Sequence, residues 1–143
     1  MPTRTASARW EGSLEEGTGN MELESGAYEG AYSFRSRFED GTGSNPEELI
    51  AAAHAGCFSM ALSNLLTDAG HEPDSVETSA DVTLRMHPED GPTITKIVLT
   101  TRVSAAGLSD DDLQTHAEAA KAGCPVSKAL SGVETIELDA SLA

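Results

Sequence analysis

Hydrophobic and polar positions alternate loosely through the first forty residues, and Gly12, Gly17, Gly19, Gly26 and Gly30 interrupt them at short intervals. ASARWEG, NMELES and YSFRSRF therefore predict strands joined by tight turns, followed by FEDGTGSNP as a loop. The pattern then changes. Asn45 is placed to cap a helix, Pro46 suits its first position, and Glu47 and Glu48 suit its positive N-terminal end. The run LIAAAHAGCFSMALSNLLTDA continues to Gly70, a good residue just past a helix end. About 24 residues of helix rise roughly 36 Å. They are apolar nearly all round, which predicts a central, buried helix.

Two longer strands come next. SVETSADVTLRM alternates through Val76, Val82, Leu84 and Met86, and PTITKIVLTTRVS is rich in β-branched residues such as Ile94, Ile97, Val98 and Val103. HPEDGP between them carries Asp90-Gly91, which points to a long antiparallel hairpin. Ser109 then caps a second helix loaded with Asp110, Asp111 and Asp112, with Leu113, Ala117 and Ala120 on its inner face and Gly123 at its end. After Cys124 and Pro125, VSKAL reads as a short helix and VETIELD as a last strand. This order predicts one α+β domain over residues 1–143, with a mainly antiparallel sheet wrapped around the long helix. One small sheet does not cover a helix of roughly 36 Å, so a homodimer that packs two such helices together is expected.

Composition narrows the function by exclusion. The net charge is −15 and the pI is near 4.4, and the six Arg and three Lys form no cluster along the chain. Such a surface repels nucleic acid and anionic membranes, and neither is expected as a partner. The opening MPTRTASARWEG lacks the apolar core of a signal peptide, and no apolar run approaches the ~18 residues of a membrane span, so the expected location is the cytoplasm. His54, His71, His87 and His116 show neither HxH nor HExxH spacing, and two cysteines cannot form a four-Cys zinc site; no metal or cofactor is expected. Few Lys beside 24 acidic residues suit a high-salt cytoplasm and an ordinary solubilising surface about equally.

The two cysteines are the candidate chemistry. Cys57 lies mid-helix, on the side carrying Leu49, Ile50, Ala53, Met60 and Ala61. A lone thiol there is more often a small core hydrophobe than a nucleophile. Cys124 sits between a helix-ending Gly and a helix-starting Pro, where backbone N–H groups can lower a thiol's pKa. Two thiols in such contexts suggest a reversible disulfide. The attacking thiolate needs a cation nearby, for which Arg is best suited, and a carboxylate to hold that Arg.

SNPEELIAAAHAGCFSMALS together with KAGCPVSKAL resembles the OsmC/Ohr family of osmotically inducible and organic-hydroperoxide-resistance proteins, and the OsmC branch more closely. WEG, ESG, RFEDGTGSNPEEL, TITKI and TIELD fit the same family, so the likeness spans essentially the whole chain. The resemblance implies an intertwined homodimer and a thiol peroxidase that prefers organic hydroperoxides. It implies Cys57 as the peroxidatic cysteine, Cys124 as the resolving cysteine that closes an intramolecular disulfide, and Arg37 and Glu47 as the family's arginine and glutamate. It further implies a lipoyl-type dithiol reductant and a part in the oxidative or osmotic stress response. Arg35 and Glu48 are the neighbours that compete for the last two roles.

A continuous helix puts Glu47 and Cys57 about 15 Å apart along its axis. No Glu side chain spans that, so a carboxylate serving Cys57 is expected from the partner chain. Phe58, Met60 and Leu49 either line a pocket for an alkyl peroxide or are plain core. Two other functions compete: a dimeric binding protein with inert thiols, and a hydrolase in which Cys57 is the nucleophile and His54, three residues earlier, its base.

Overall fold

The computed structural model describes residues 2–143. It divides into two compact units, one ending at Leu49 and the other spanning Ile50–Ala143.

In the first unit, β1 (Ala6–Glu11), β2 (Thr18–Leu23) and β3 (Glu29–Tyr32) form an antiparallel meander in that order. Gly19 pairs with Trp10 on one side and Tyr32 on the other, and the two rings meet at a 53° tilt with centroids 5.3 Å apart. A Cβ at Gly19 would lie 2.5 Å from the Tyr32 ring and 2.6 Å from the Trp10 ring, so only glycine fits beneath them.

The expected strand YSFRSRF is corrected. β3 stops at Tyr32, and Phe34–Phe38 forms a short helix, α1. Ser33 and Ser36 make a reciprocal cap: the Ser36 N–H donates to Ser33 Oγ at 3.1 Å, and the Ser33 N–H donates to Ser36 Oγ at 2.8 Å. These hydroxyls take backbone bonds that a strand would have used.

Helix α2 (Pro46–Asp68) starts where expected, with the Glu48 N–H donating to Asn45 Oδ1 at 2.8 Å. It ends in a Schellman motif. Gly70 has φ 88°, and the N–H groups of Gly70 and His71 donate to the carbonyls of Thr67 and Leu66. In the second unit, β4 (Ser75–His87) and β5 (Gly91–Ser104) form the expected long hairpin, with Gly91 at φ 74° beside the turn. After α3 (Asp110–Gly123) and α4 (Pro125–Ala129), strand β6 (Thr135–Leu142) returns parallel to β5. A parallel neighbour needs a crossover, and α3 and α4 supply it.

Phe58, Leu62 and Leu66 pack with Leu99, Val103, Leu108, Leu113, Ala117 and Ala120. Across the helix–sheet seam, Ser59 Oγ donates to Thr78 Oγ1, which is 2.9 Å from the buried Thr101 Oγ1. The expectation of a helix buried all round is met only along this stripe: Met60 is 77% exposed, and Ala52, Ala53 and Gly56 are exposed too. The expectation that no apolar run approaches the length of a membrane span is likewise corrected, because α2 is long and apolar enough by length and composition. Small residues raise its hydropathy without an unbroken apolar run. Its docked stripe makes it part of the folded unit.

Leu62→Ala should cost about 2–5 kcal/mol, read as a lowered urea midpoint, because it opens a cavity at a side chain with no exposed surface. An unchanged midpoint would mean that the stripe is not the core of this unit.

Candidate active site

The four site residues expected from the sequence fall into two pairs, one in each unit. In the first, α1 presents Arg37 from its last turn and α2 presents Glu47 from its first. Arg37 Nη2 donates to Glu47 Oε1 at 2.8 Å, and its Nε lies 3.1 and 3.3 Å from the two carboxylate oxygens. Two-point contact fixes the guanidinium plane as well as its position. The Glu47 side chain is 9% exposed and that of Arg37 35%, so the carboxylate is the anchor and the guanidinium retains an accessible edge. The competing neighbours are occupied elsewhere: Arg35 pairs with Glu39 in solvent, and Glu48 accepts the Ser44 hydroxyl at 2.8 Å. Arg37 also borders a cavity of about 400 Å³ walled by Trp10, Tyr32, Phe34 and Phe38. The cavity gathers four of the chain's six aromatic side chains.

The second pair is Cys57 and Cys124, both free thiols. Cys57 is half-buried on α2; Cys124 is fully buried at the junction of α3 and α4. There its N–H donates to the Ala120 carbonyl and closes α3, while its Sγ accepts the Ser127 N–H at 3.3 Å and opens α4. The two thiols are near neighbours, each affecting the other's acidity.

Their acidities diverge. Burial pushes the Cys57 thiol up; the Val126 backbone N–H opposes this, and neighbouring Cys124 adds to the rise. Burial acts on Cys124 in the same direction, but bonds from the Ser127 hydroxyl and N–H, the Cys57 thiol and the Val126 N–H outweigh it and carry Cys124 below its ordinary value. No cation contributes to either shift.

Two further residues belong to this cluster. His54 is fully buried, and its Nε2 lies 2.7 Å from Ser127 Oγ, which lies 3.3 Å from Cys124 Sγ. His54 Nδ1 is buried with no partner among the described residues. In the sequence His54 stands out only as a possible base for Cys57, and Ser127 does not stand out. The available signal was symmetrical spacing: His54 precedes Cys57 by three residues, and Ser127 follows Cys124 by three. Of the side chains considered for an alkyl pocket, Phe58 is core and Met60 is exposed.

A profile of the family described as OsmC-like protein matches residues 39–139, which carry Glu47, Cys57 and Cys124. The chain belongs to the OsmC-like family. It is 46% identical over 131 residues to peroxiredoxin OsmC of Escherichia coli, covering 91% of each chain. It is 37% identical over 101 residues to organic hydroperoxide resistance protein OhrB of Bacillus subtilis, covering 71% and 72%. The crystal structure of that OhrB superposes with a TM-score of 0.72 at 27% identity, over 97% of this chain and 98% of the other. An organic hydroperoxide resistance protein OsmC from Legionella pneumophila gives a TM-score of 0.74 at 24% identity, over 97% and 96%. The α+β architecture of this chain is thus the OsmC-like fold.

Burial holds His54 below its ordinary pKa, so the folded chain keeps it neutral where the unfolded chain protonates it. The unfolded state then binds more protons, and stability should be constant above about pH 6.5 and fall as pH drops through that value toward the lowered folded pKa. The urea midpoint should therefore decline between about pH 7.5 and 5.5, and less steeply in His54→Gln. Equal slopes in the two proteins would contradict a buried neutral His54.

Proposed function

We propose that this OsmC-like protein is a thiol peroxidase that reduces organic hydroperoxides to alcohols in the oxidative or osmotic stress response. The observation that carries this reading is the pair of free, neighbouring thiols, Cys57 and Cys124, drawn from residues 67 positions apart. Inert core cysteines have no need of such company. The names of the relatives, peroxiredoxin and organic hydroperoxide resistance protein, point the same way.

The Cys57 thiolate attacks the distal peroxide oxygen, the O–O bond breaks, and the alkoxide departs to become the alcohol. Cys57 is left as a sulfenic acid. Cys124 condenses with it, releasing water and forming a disulfide, and a dithiol of the lipoyl type resets the pair by exchange. Accessibility sets this order, although Cys124 is the more acidic thiol: Cys57 is half-buried, whereas Cys124 has no exposed surface.

Cys57 needs a positive charge, since burial disfavours its thiolate. Arg37, already aligned by Glu47, is the fitting cation. Helix α2 is continuous from Pro46 to Asp68, and the rise from Glu47 to Cys57 is about 15 Å. We therefore assign Arg37 and Glu47 of one protomer to the thiol pair of its partner, within a homodimer that covers the exposed apolar side of α2. The aromatic cavity beside Arg37 would take the alkyl or aryl tail, which favours organic peroxides over hydrogen peroxide.

One equivalent of cumene hydroperoxide should consume both thiols in the wild type, stop at the sulfenic acid in Cys124→Ser, and leave Cys57→Ser nearly unreacted. Unchanged thiols in the wild type would reject the peroxidase reading. Sharing of the site has its own check. Cys57→Ser and Arg37→Met should each be inactive and should regain activity when unfolded and refolded together. Failure to complement would rule out a site built from two chains.

A further inference from the structure

We propose that Ser127 is a catalytic residue of disulfide closure, relaying the Cys124 proton, and that the buried His54 is the positioning residue that receives it. The proposal rests on the peroxidase reading above and adds the proton path of its second step. The geometry is a continuous chain: Cys124 Sγ, Ser127 Oγ at 3.3 Å, His54 Nε2 at 2.7 Å beyond. All three residues are buried, so solvent does not compete for the proton. His54 Nδ1 has no partner among the described residues, and nothing there locks the ring into one tautomer. Nε2 is thus able to accept a proton and to return it. Burial disfavours the imidazolium, which keeps the ring neutral and ready to accept and makes any stored proton short-lived.

In the step, the Cys124 S–H donates to Ser127 Oγ as the Ser127 O–H donates to Nε2. The sulfur electron pair forms the S–S bond and the S–O bond of the Cys57 sulfenic acid breaks. Cys124 is oxidised, the Cys57 sulfur is reduced, and the departing hydroxide leaves as water with the proton that Cys124 lost. His54 stands about one helical turn before Cys57 on α2. The titratable groups that face Cys124 are Cys57 and, through Ser127, His54. Lys121, at the end of α3, is turned to Glu118 and the Ile136 carbonyl, and Lys128 of α4 is exposed.

Two measurements test this. In a Cys57→Ser background, which requires no peroxide, thiolate absorbance titrates Cys124. Ser127→Ala should raise its midpoint and leave about tenfold less thiolate at neutral pH, whereas Ser127→Thr should restore it. With Cys57 present, closure is timed from preformed sulfenic acid. Ser127→Ala should slow it at least about tenfold, and His54→Gln, which keeps a polar contact but takes no proton, should slow it and displace its pH profile. A wild-type midpoint and closure rate in Ser127→Ala would overturn the proposal. If that variant does not fold, a wild-type closure profile in His54→Gln overturns it alone. A wild type that forms no sulfenic acid defeats the peroxidase reading, while the peroxide-free titration still decides the hold of Ser127 on Cys124.

Discussion

The docking of one stripe of α2 is the interaction on which the site depends. His54, Phe58, Leu62 and Leu66 recur every four residues and have no exposed surface. Each fully buried Phe or Leu contributes about 1.5–3 kcal/mol, enough to fix the rotation of the helix about its axis. That rotation sets what Cys57 meets. It stands one residue before Phe58, at the edge of the stripe, half-buried and beside the α3–α4 junction that holds Cys124. Turned by one position, α2 would bury Cys57 fully or lift it away from its partner.

The same burial has an electrostatic consequence. A thiol placed against apolar side chains resists ionisation, and among the described residues no cation offsets this at Cys57. Cys124 receives the hydrogen bonds instead and becomes the more acidic of the two. A peroxidase in which Cys57 attacks needs charge from elsewhere. On the proposed reading the Arg37–Glu47 pair supplies it, with its carboxylate buried and its guanidinium still accessible. On the same reading, a two-chain site joins the thiol pair of one protomer to the oriented arginine of its partner.

Much of this was legible in the sequence, for identifiable reasons. The start of α2 followed from Asn45, Pro46 and two glutamates, its end from Gly70, the hairpin from alternation around Asp90-Gly91, and α3 from Ser109 and three aspartates. These signals are local, and local physics decides them. Helix α1 was not legible, because Tyr32, Phe34 and Phe38 favour a strand while two serine hydroxyls decide for a helix. The parallel direction of β6 was equally hidden, since alternation is the same for either direction. Of the site, motif alignment named Arg37, Glu47, Cys57 and Cys124, but only geometry pairs Arg37 with Glu47 rather than Glu48. The His54–Ser127 contact joins residues 73 positions apart and depends on how α2 and α4 are rotated, which no single segment encodes.

On the proposed reading, burial of α2 makes a working pair of two thiols that the sequence keeps far apart. Mass mapping of non-reduced peptides, after one equivalent of an organic hydroperoxide, tests it most directly. The account predicts one dominant product, a Cys57–Cys124 disulfide within a single chain. Cys57 oxidised to sulfinic acid with Cys124 still free, or Cys57 linked to Cys57 of another chain, would contradict it.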